Sequence, residues 1–468
     1  MNVFNPSVGP LIGHTIPTQT RIFLRGRSSQ KGHCYGFVRY RRRGEQSWAP
    51  AVINRVDPAR DMTTVLVINA LVPDTEYQYQ AGYLIHPGSL AEVHALDPES
   101  FAWPADHTTH LFKTSAATFG TPRRYLIGSC RYLNLTANVP LDIAFSDSIF
   151  KPMLDYVESA RPAVDAFVMT GDQIYADDWN FLAPDRLLSE FLVKYQHAFT
   201  TPNFHRLASR IPCYMILDDH EIEDNWPQRA TLEKRRTLLP NALEAYTIYQ
   251  CSHSPLFGTS DTHVTTKPAH FWYTFGHGDV EWFVLDVRTE RTLHGEPRTL
   301  GDAQMAALLE WLGGSEARVK FVVTSVMLYP DARNPSSGAD AWQGFPAERE
   351  QILEHIRLNQ IRNVIFITGD VHCSLTCELR HAVDPEFSVH TIVASPLSKH
   401  RLLPNNDAGY FELEKPLSGS RYYPHLSSAV ISQENFAALR VEQDHVAVSY
   451  VGKQGQALSG EIRIGLMP

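Results

Sequence analysis

Two patterns of apolar residues divide the chain. Between residues 20 and 114, short runs alternate apolar and polar positions and are separated by Gly, Pro and Asp, as in TRIFLRG (20–26) and TTVLVINAL (63–71). Alternation with a period of two places the apolar side chains on one face of each strand. This part is therefore predicted to be an all-β sandwich of the fibronectin III/Ig-like kind, without a long helix.

The remaining chain has longer and nearly continuous apolar runs, which are typical of strands buried on both faces. These runs are RYLIGSC (124–130), DAFVMTGD (165–172), PCYMILDDHE (212–221), EWFVLDVR (281–288), KFVVTSVML (320–328) and NVIFITGDVH (363–372). The small-residue stretch SAATFGTPRR (115–124) separates the two patterns. We therefore expect an N-terminal β-sandwich domain over 1–117 and an α/β domain over 118–468 that closes with C-terminal strands.

Polar groups follow four of these strands, as Gly-Ser-Cys, Gly-Asp, Asp-Asp-His-Glu and Gly-Asp-Val-His. One Thr-Gly-Asp after an apolar run is also how an ordinary strand leaves a sheet, with Asp starting a helix. The repetition favours chemistry instead, since active sites of α/β sheets form at the carboxyl ends of strands. Candidate residues in these ends and the loops behind them are Cys130, Asp172, Tyr175, Asp218, Asp219, His220, Asn225, Asp370 and His372.

So many acidic groups are costly to bury unless cations compensate them, so the set predicts two or more metal ions. Thiolate and phenolate groups suit Fe³⁺, whereas carboxylate and amide oxygens suit Ca²⁺ or Mn²⁺, and Zn²⁺ is a further alternative. Such a centre can bind a phosphate ester and supply hydroxide at neutral pH. The expectation is a mixed-metal phosphoesterase site.

Charge and cysteine content exclude other classes of protein. The net charge of −9 is spread along the chain, and the densest basic run is only YRRRG (40–44), so no nucleic-acid partner is expected. Six scattered cysteines form no disulfide framework, which favours a reducing compartment. No apolar run reaches the length of a membrane span, and the N-terminus lacks a signal-peptide pattern. As given, the chain is expected in the cytoplasm, or in the periplasm or outside the cell if a leader was removed.

Six motifs in order resemble the PhoD-like alkaline phosphatase family of the calcineurin-like metallophosphatase superfamily. They are GSC (128–130), GDQIYADD (171–178), DDHEIEDNW (218–226), LDVRTER (285–291), WQGFPAER (342–349) and GDVH (369–372). VGPLIGHTIPTQTRIFLRG (8–26) is similar to the N-terminal sandwich of that family, and LVPDTEYQYQAGY (71–83) resembles the corner of fibronectin type III-like domains. The resemblance implies an α/β metallophosphatase sandwich in which two facing mixed sheets meet at the metal site.

The resemblance also implies roles for individual residues. Cys130, Asp172, Tyr175 and His372 match the ligands of an iron site, with Asp172 bridging to the second metal. Asp218, Asn225 and Asp370 match the ligands of the calcium side. Asp219 is the alternative to Asp218, because the two carboxylates are adjacent and an alignment on the broader Asn-His-Glu motif would select it.

Other residues have two interpretations each. His220 is either a catalytic group near the leaving group or a residue that orients the neighbouring acids. Arg288 and Arg291 resemble an arginine pair of the family, with Arg288 the catalytic candidate, but a structural salt bridge is the alternative for both. Cys373 and Cys377 are interpreted as core residues behind the site.

The expected function is hydrolysis of phosphomonoesters, with phosphodiesters as a further substrate class, by attack of a metal-activated hydroxide. One alternative is a phosphodiesterase or phospholipase D-type enzyme on the same fold. A non-catalytic binding protein with a degenerate site is the other, although the full set of acidic candidates argues against it. The sequence predicts neither the physiological substrate nor the oligomeric state.

Overall fold

The computed structural model describes residues 1–136, 139–177, 185–260, 262–264, 267–399 and 405–467 of the chain. Short strands dominate the part before residue 114, as the alternating pattern predicts. They are β1 (Val3–Phe4), β2 (Val8–Ile16), β3 (Gln19–Arg25), β4 (His33–Arg42), β5 (Val52–Arg55), β6 (Thr63–Ile68), β7 (Glu76–His86) and β8 (His110–Lys113). Helix α1 (Leu90–His94) is only five residues long.

These strands form two antiparallel sheets. One has the order β2-β3-β6, and the other has the order β1-β7-β4-β5 with β8 also paired to β7. Ile22 from the first sheet and Val38 from the second belong to one buried apolar cluster. Tyr77 and Tyr79 share this cluster, as their spacing predicts, and the Tyr77 hydroxyl accepts a hydrogen bond from the N–H of Val72 at 2.9 Å.

Strands and helices alternate through most of the remaining chain. The strands are β9 (Arg123–Gly128), β10 (Leu135–Thr136), β11 (Val139–Pro140), β12 (Ala166–Met169), β13 (Cys213–Met215), β14 (Tyr273–His277), β15 (Val280–Val284), β16 (Val319–Val323), β17 (Asp331–Ala332), β18 (Val364–Thr368), β19 (Leu375–His381), β20 (Ser388–Val393), β21 (Phe411–Glu412), β22 (Tyr422–Leu426), β23 (Asn435–Val441), β24 (His445–Gly452) and β25 (Ile462–Gly465).

The helices are α2 (Ile143–Ser146), α3 (Phe150–Ser159), α4 (Leu188–Phe199), α5 (Pro202–Ala208), α6 (Leu232–Arg236), α7 (Leu238–Tyr246), α8 (Asp302–Gly314), α9 (Pro335–Asp340) and α10 (Pro346–Leu358). A π-helix (Thr247–Cys251) continues α7. Single 3₁₀ turns lie at Pro58–Arg60, Pro98–Ser100, Asp219–Glu221, Trp342–Gly344 and Ala408–Tyr410.

Two larger mixed sheets contain most of these strands. The six-stranded sheet has the order β13-β12-β9-β23-β24-β25, in which β13, β12 and β9 run parallel. The seven-stranded sheet has the order β14-β15-β16-β18-β20-β19-β22, in which β15, β16, β18 and β20 run parallel. The closing strands predicted near the C-terminus extend the six-stranded sheet as antiparallel neighbours.

The two mixed sheets face each other across one apolar layer. Tyr125 of β9 packs edge-on against Trp282 of β15 with ring centroids 4.8 Å apart. Tyr214 of β13 stacks on Phe275 of β14 at 3.7 Å. All four rings belong to one buried cluster to which both sheets contribute, as expected of strands whose two faces are both apolar.

Helices cover the outer face of each mixed sheet. A cluster that includes Met153 of α3 and Phe191 of α4 packs on the six-stranded sheet. A second cluster, which includes Leu308 of α8 and Ile352 of α10, packs on the seven-stranded sheet. The observed strands are shorter than the apolar runs that predict them. For example, β13 ends at Met215, which pairs with Met169, the last residue of β12. Both segments therefore leave the sheet at the same edge.

Apolar contacts cross the predicted boundary between residues 117 and 118. Leu11 and Phe23 of the N-terminal strands belong to the same buried cluster as α3 and α4. The Tyr79 hydroxyl also donates a hydrogen bond to the carbonyl of Ser209 at 2.6 Å. The division into domains at 1–117 and 118–468 therefore stays a prediction.

In the part of the chain that the structure describes, no helix combines the length and the apolar character that a bilayer crossing needs.

Candidate metal centre

Acidic residues from both mixed sheets meet at the carboxyl ends of their parallel strands. Asp172 follows β12, Asp218 and Asp219 follow β13, and Asp370 follows β18. One carboxylate oxygen from each of these four residues lies within 4.8 Å of the other three. Asp172 and Asp219 also form a similar group with one ring nitrogen of His220. The structure thus brings five of the predicted site residues together.

Several predicted ligands have a left-handed backbone conformation. The φ angles of Cys130, Asp172, Asn225, Asp370 and His372 lie between 52° and 64°. Positive φ is uncommon outside glycine, and such strain persists where the surrounding structure needs a particular side-chain direction. The same unusual backbone conformation thus recurs in four separate turns around the site.

Three of the four clustered carboxylates have an oxygen without a hydrogen-bond partner. These buried atoms are Asp172 Oδ1, Asp218 Oδ2 and Asp219 Oδ1. The second oxygen is used in each case: Cys130 Sγ donates to Asp172 Oδ2 at 3.2 Å, and the N–H of Asn225 donates to Asp219 Oδ2 at 2.5 Å. A buried carboxylate oxygen left unpartnered is costly, so the arrangement fits a cation that accepts one oxygen from each acid.

Arg288 supplies positive charge from behind the cluster. Its Nε donates to Asp218 Oδ1 at 2.6 Å, and its Nη2 lies 3.2 Å from Asp219 Oδ1 without forming a hydrogen bond. Its Nη1 and Nη2 also bind both oxygens of Asp340, at 2.8 and 2.9 Å. Ser325 Oγ donates to the same Asp218 oxygen at 2.7 Å.

These contacts match the salt-bridge interpretation of the two arginines. The Arg288 side chain is fully buried and so has no surface with which to touch a substrate. Arg291 donates to Asp340 Oδ1 at 2.8 Å and has no exposed guanidinium either. The contacts thus agree with the alternative in which Arg288 orients Asp218 and Asp219, and a catalytic role for Arg288 stays a prediction.

The carboxylates differ in how easily they ionise. Burial raises the pKa of Asp172 well above its usual range, and the neighbouring Cys130 and Asp218 raise it further. Burial and the charges of Asp218 and Asp219 have the same effect on the pKa of Asp370. Burial also opposes ionisation of Asp219, but Arg288 and His220 outweigh it and hold its pKa at about 2. Negative charge at this site therefore needs a cation beyond Arg288.

Cys130 lies at the edge of the acidic cluster. Its Sγ contacts Asp172, and Ser395 Oγ donates to that Sγ at 3.2 Å. Burial, followed by the charge of Asp370, raises the pKa of the Cys130 thiol to about 12. A thiolate ligand at this position would therefore require the charge of a bound metal ion.

Tyr175 packs beside His220. The two rings have centroids 4.2 Å apart and planes tilted by 32°. Burial and the charge of Cys130 raise the pKa of the Tyr175 phenol well above 10. As with Cys130, a phenolate at this position would need a cation to stabilise it.

His220 is held by an acid that the sequence analysis did not select. Its Nδ1 lies 2.8 and 2.9 Å from the two oxygens of Asp177. The N–H of Asp224 also donates to Asp177 at 2.7 Å, so this carboxylate is fixed. Burial lowers the pKa of His220, but Asp177 and then Asp219 outweigh it and raise this pKa well above 6.5. With Nδ1 engaged by Asp177, Nε2 is the nitrogen left for the site.

Asn225 and His372 lie next to acids of the cluster, the first by a hydrogen bond and the second along the chain. The main chain of Asn225 binds Asp219. His372 follows Asp370 by two residues, and its N–H donates to Ser395 Oγ at 3.2 Å. Burial and the charge of Lys399 lower the pKa of His372 to about 3, which keeps the imidazole neutral, the form that binds metals.

Several further residues contact the site without having been predicted. Asp177 and Glu221 lie inside motifs that the sequence analysis quoted, and Ser325 lies inside the quoted run KFVVTSVML (320–328), whereas Asp340 and Ser395 carry no local signal. Asp178, the last residue of the GDQIYADD motif, lies outside the described residues. Cys373 and Cys377 are fully buried in the apolar cluster of the seven-stranded sheet, so their interpretation as core residues is confirmed.

Comparison with known proteins gives a consistent result. The PhoD-like phosphatase family matches residues 146–450. Alkaline phosphatase D of Bacillus subtilis (strain 168) is 25% identical over 198 residues, which are 38% of this chain and 34% of that protein. The chain is thus aligned with about a third of the length of this curated relative.

A solved structure described as "Structure of PhoD" is similar in fold. It superposes with a TM-score of 0.71 at 16% identity and covers 99% of this chain and 93% of the other. The similarity therefore extends through the N-terminal strands as well as through both mixed sheets.

Proposed function

Because the chain belongs to the PhoD-like phosphatase family, we propose that it is a metal-dependent phosphoesterase that hydrolyses phosphomonoesters. One observation carries this proposal: the cluster of Asp172, Asp218, Asp219 and Asp370. Asp172 and Asp218 each have a buried oxygen without a hydrogen-bond partner, and Asp219 Oδ1 has only its ion pair with Arg288. A degenerate binding domain would have no reason to maintain this arrangement, since it is costly without cations.

The donor set suits a mixed-metal centre of the kind that the sequence predicts. Cys130, Asp172, Tyr175 and His372 would hold the Fe³⁺ side, and Asp218, Asn225 and Asp370 would hold the Ca²⁺ side. Asp219 remains the alternative to Asp218, because it belongs to two of the three groups of closely spaced ligand atoms in the described residues. When bound, such ions lower the pKa of water and neutralise the charge of a phosphate group.

The side chains around the acids would prepare the site for hydrolysis. Arg288 keeps Asp218 and Asp219 in place and balances part of their charge. His220, with Nδ1 fixed by Asp177, would present Nε2 to the leaving oxygen of the ester and give it a proton. The contacts of Arg288 with the two acids would help the site bind its ions, whereas the contact of His220 with Asp177 would help the alcohol leave.

The architecture supports the same proposal. Two facing mixed sheets covered by helices agree with a metallophosphatase sandwich, and the two antiparallel N-terminal sheets agree with a fibronectin III/Ig-like domain over 1–117. Placing the site where both sheets end lets side chains from opposite layers reach the same ions.

A panel of substrates tests the activity. Purified protein is stripped with chelator, reloaded with Fe³⁺ and Ca²⁺, Mn²⁺ or Zn²⁺, and assayed with aryl and alkyl phosphomonoesters and with bis-esters. We expect phosphate release from monoesters that chelator abolishes, and the ratio of monoester to diester turnover assigns the substrate class.

Two matched variants complete the assay. Asp370→Asn removes an acid of the cluster. Asp165→Asn is the control, because Asp165 is a largely buried acid that directly precedes β12, at the end of the strand opposite to the cluster. Loss of turnover is expected in the first variant alone. Wild-type protein that releases no phosphate from any ester with any of these ions would overturn the proposal.

A further inference from the structure

Glu221 connects the two turns that carry the metal-binding acids of the six-stranded sheet. We propose that Glu221 is a positioning residue that sets the spacing between Asp172 and Asp218, and thereby the affinity of the site for its ions. The inference rests on the proposed function in one respect: it takes the acidic cluster to be a metal site. The predicted ligand set does not include Glu221, whose carboxyl group accepts hydrogen bonds from main-chain N–H groups of both turns.

The carboxylate of Glu221 accepts hydrogen bonds from both turns. Oε2 accepts from the N–H of Asp218 at 2.9 Å and from the N–H of Asp172 at 3.2 Å. Oε1 accepts from the N–H of Gln173 at 2.5 Å. Asp172 follows β12 and Asp218 follows β13, so a single carboxylate joins the ends of two neighbouring strands.

The turn after β12 needs such support. Asp172 has a φ of 56°, and Gly171 before it has a φ of 103°. This left-handed path takes the N–H groups of Asp172 and Gln173 out of the ladder of the sheet, where they would be buried without partners. A carboxyl group can accept several hydrogen bonds at once, so Glu221 can hold the N–H groups of a strained turn.

A second element fixes Glu221 from the opposite side. Gln250, in the π-helix Thr247–Cys251, donates from Nε2 to Glu221 Oε1 at 3.1 Å and lies equally close to the Tyr195 hydroxyl. π-helical turns are rare and frequently occur at functional sites. The next residue toward the N-terminus, Tyr249, donates to Asp61, in the turn between the 3₁₀ turn Pro58–Arg60 and β6, at 2.5 Å. The support of the ligand turns thus extends to the N-terminal part of the chain.

A purely structural role would make the same contacts, so the test needs a matched control. Glu348 provides one, because it is also buried and its Oε2 accepts from the N–H groups of Thr299 and Leu300 at 2.6 and 3.1 Å. Glu348→Gln and Glu221→Gln therefore replace the same kind of group, a buried carboxyl that accepts hydrogen bonds from main-chain N–H groups. Only Glu221 lies against the ligand turns.

The experiment measures binding of Mn²⁺ and of Ca²⁺ to the metal-free, full-length proteins by calorimetry, together with urea unfolding in chelator. Both variants should lose stability without metal. Glu221→Gln alone should weaken Mn²⁺ binding by about 10- to 100-fold, the usual effect of losing a group that orients ligands. The rise in melting temperature on adding Mn²⁺ should shrink in the same variant.

A milder variant covers the case in which Glu221→Gln does not fold. Gln250→Leu keeps the carboxylate but removes one of its partners, and a several-fold loss of Mn²⁺ affinity is expected. Unchanged affinity in the folded Glu221→Gln protein, or in Gln250→Leu if only that variant folds, would overturn the inference. Wild-type protein that binds the ions but hydrolyses no ester would instead refute the proposed function. The comparison of ion binding between wild type and Glu221→Gln would still test the role of Glu221.

Discussion

Both carboxylate oxygens of Asp177 lie within 2.9 Å of Nδ1 of His220. A carboxylate in this position selects the tautomer of the imidazole and stabilises its protonated form, so Nε2 can act as a proton donor. Asp177 would thus affect the reaction through His220 without touching the substrate. This relationship leads to a prediction about the leaving group.

Asp177→Asn should make turnover depend more strongly on the leaving group. An alkyl phosphate needs protonation of its departing oxygen more than p-nitrophenyl phosphate does, so its turnover should fall further, by about 10²-fold against a smaller loss for the aryl ester. Steady-state kinetics on both esters give the ratio. Glu223→Gln is the control, since its carboxylate pairs with Lys234 instead. An equal loss for the two esters would remove His220 from the protonation step.

Asp172→Asn should separate function from stability. Burial and neighbouring negative groups already raise the pKa of Asp172, so the metal-free fold gains nothing from its charge. We expect bound metal and turnover to fall by at least 10-fold while the urea midpoint in chelator stays the same or rises. Metal analysis by mass spectrometry and denaturation with chelator provide the two readouts. Full metal content in the variant would argue against a bridging position.

Tyr175→Phe tests the iron assignment. Phenolate bound to Fe³⁺ gives a visible charge-transfer band, so iron-loaded wild-type protein should be coloured and the variant should lose that band. Tyr132→Phe is a suitable control because the Tyr132 ring packs against Tyr175 at 5.0 Å and is not a proposed ligand. If the wild-type protein is colourless and fully active with Zn²⁺ or Mn²⁺ alone, the iron assignment is wrong and one of those ions is the metal.

Cys130→Ser tests the same half of the site. A hydroxyl is far less acidic than a thiol and binds the softer ion less well, so metal content and turnover should fall together. In chelator, the melting temperature should differ little from that of the wild type, because the substitution changes one atom. Equal iron occupancy in both proteins would exclude Cys130 as a ligand.

His277 should contribute to acid sensitivity. It is buried beside Tyr125, and burial and the charge of Arg123 lower its pKa to about 3. Because the unfolded chain binds a proton below its usual pKa of about 6.5 and the folded chain does not, stability falls as pH drops through this window. Between pH 6.5 and 4.5 the loss from this group is about 2 kcal/mol.

Urea unfolding at several pH values measures this contribution. His277→Phe should flatten the decline in stability, whereas His270→Gln, at an exposed position, should leave it unchanged. The same decline in wild type and His277→Phe would show that other groups cause the acid sensitivity.

Much of the site could be predicted because its chemistry is local in the sequence. The apolar runs place Asp172, Asp218 and Asp370 directly after buried strands, and parallel strands bring their carboxyl ends to one edge. The role of Arg288 could not be predicted in this way. Its partner Asp340 is 52 residues distant, and nothing in the intervening sequence indicates that their side chains meet.

The sequence by itself indicated which apolar runs form buried strands and which residue types follow them, because period and turn chemistry depend on near neighbours. The order of the strands within each sheet depends on the tertiary structure. Only the tertiary structure decided which carboxylate oxygens stay unpartnered and which acid holds His220. Asp177 and His220 are 43 residues apart, and Glu221 and Asp172 are 49 apart. Contacts at such separations depend on how the two sheets pack and on where each turn leaves its strand, to within a few tenths of an ångström, and no local pattern encodes those distances.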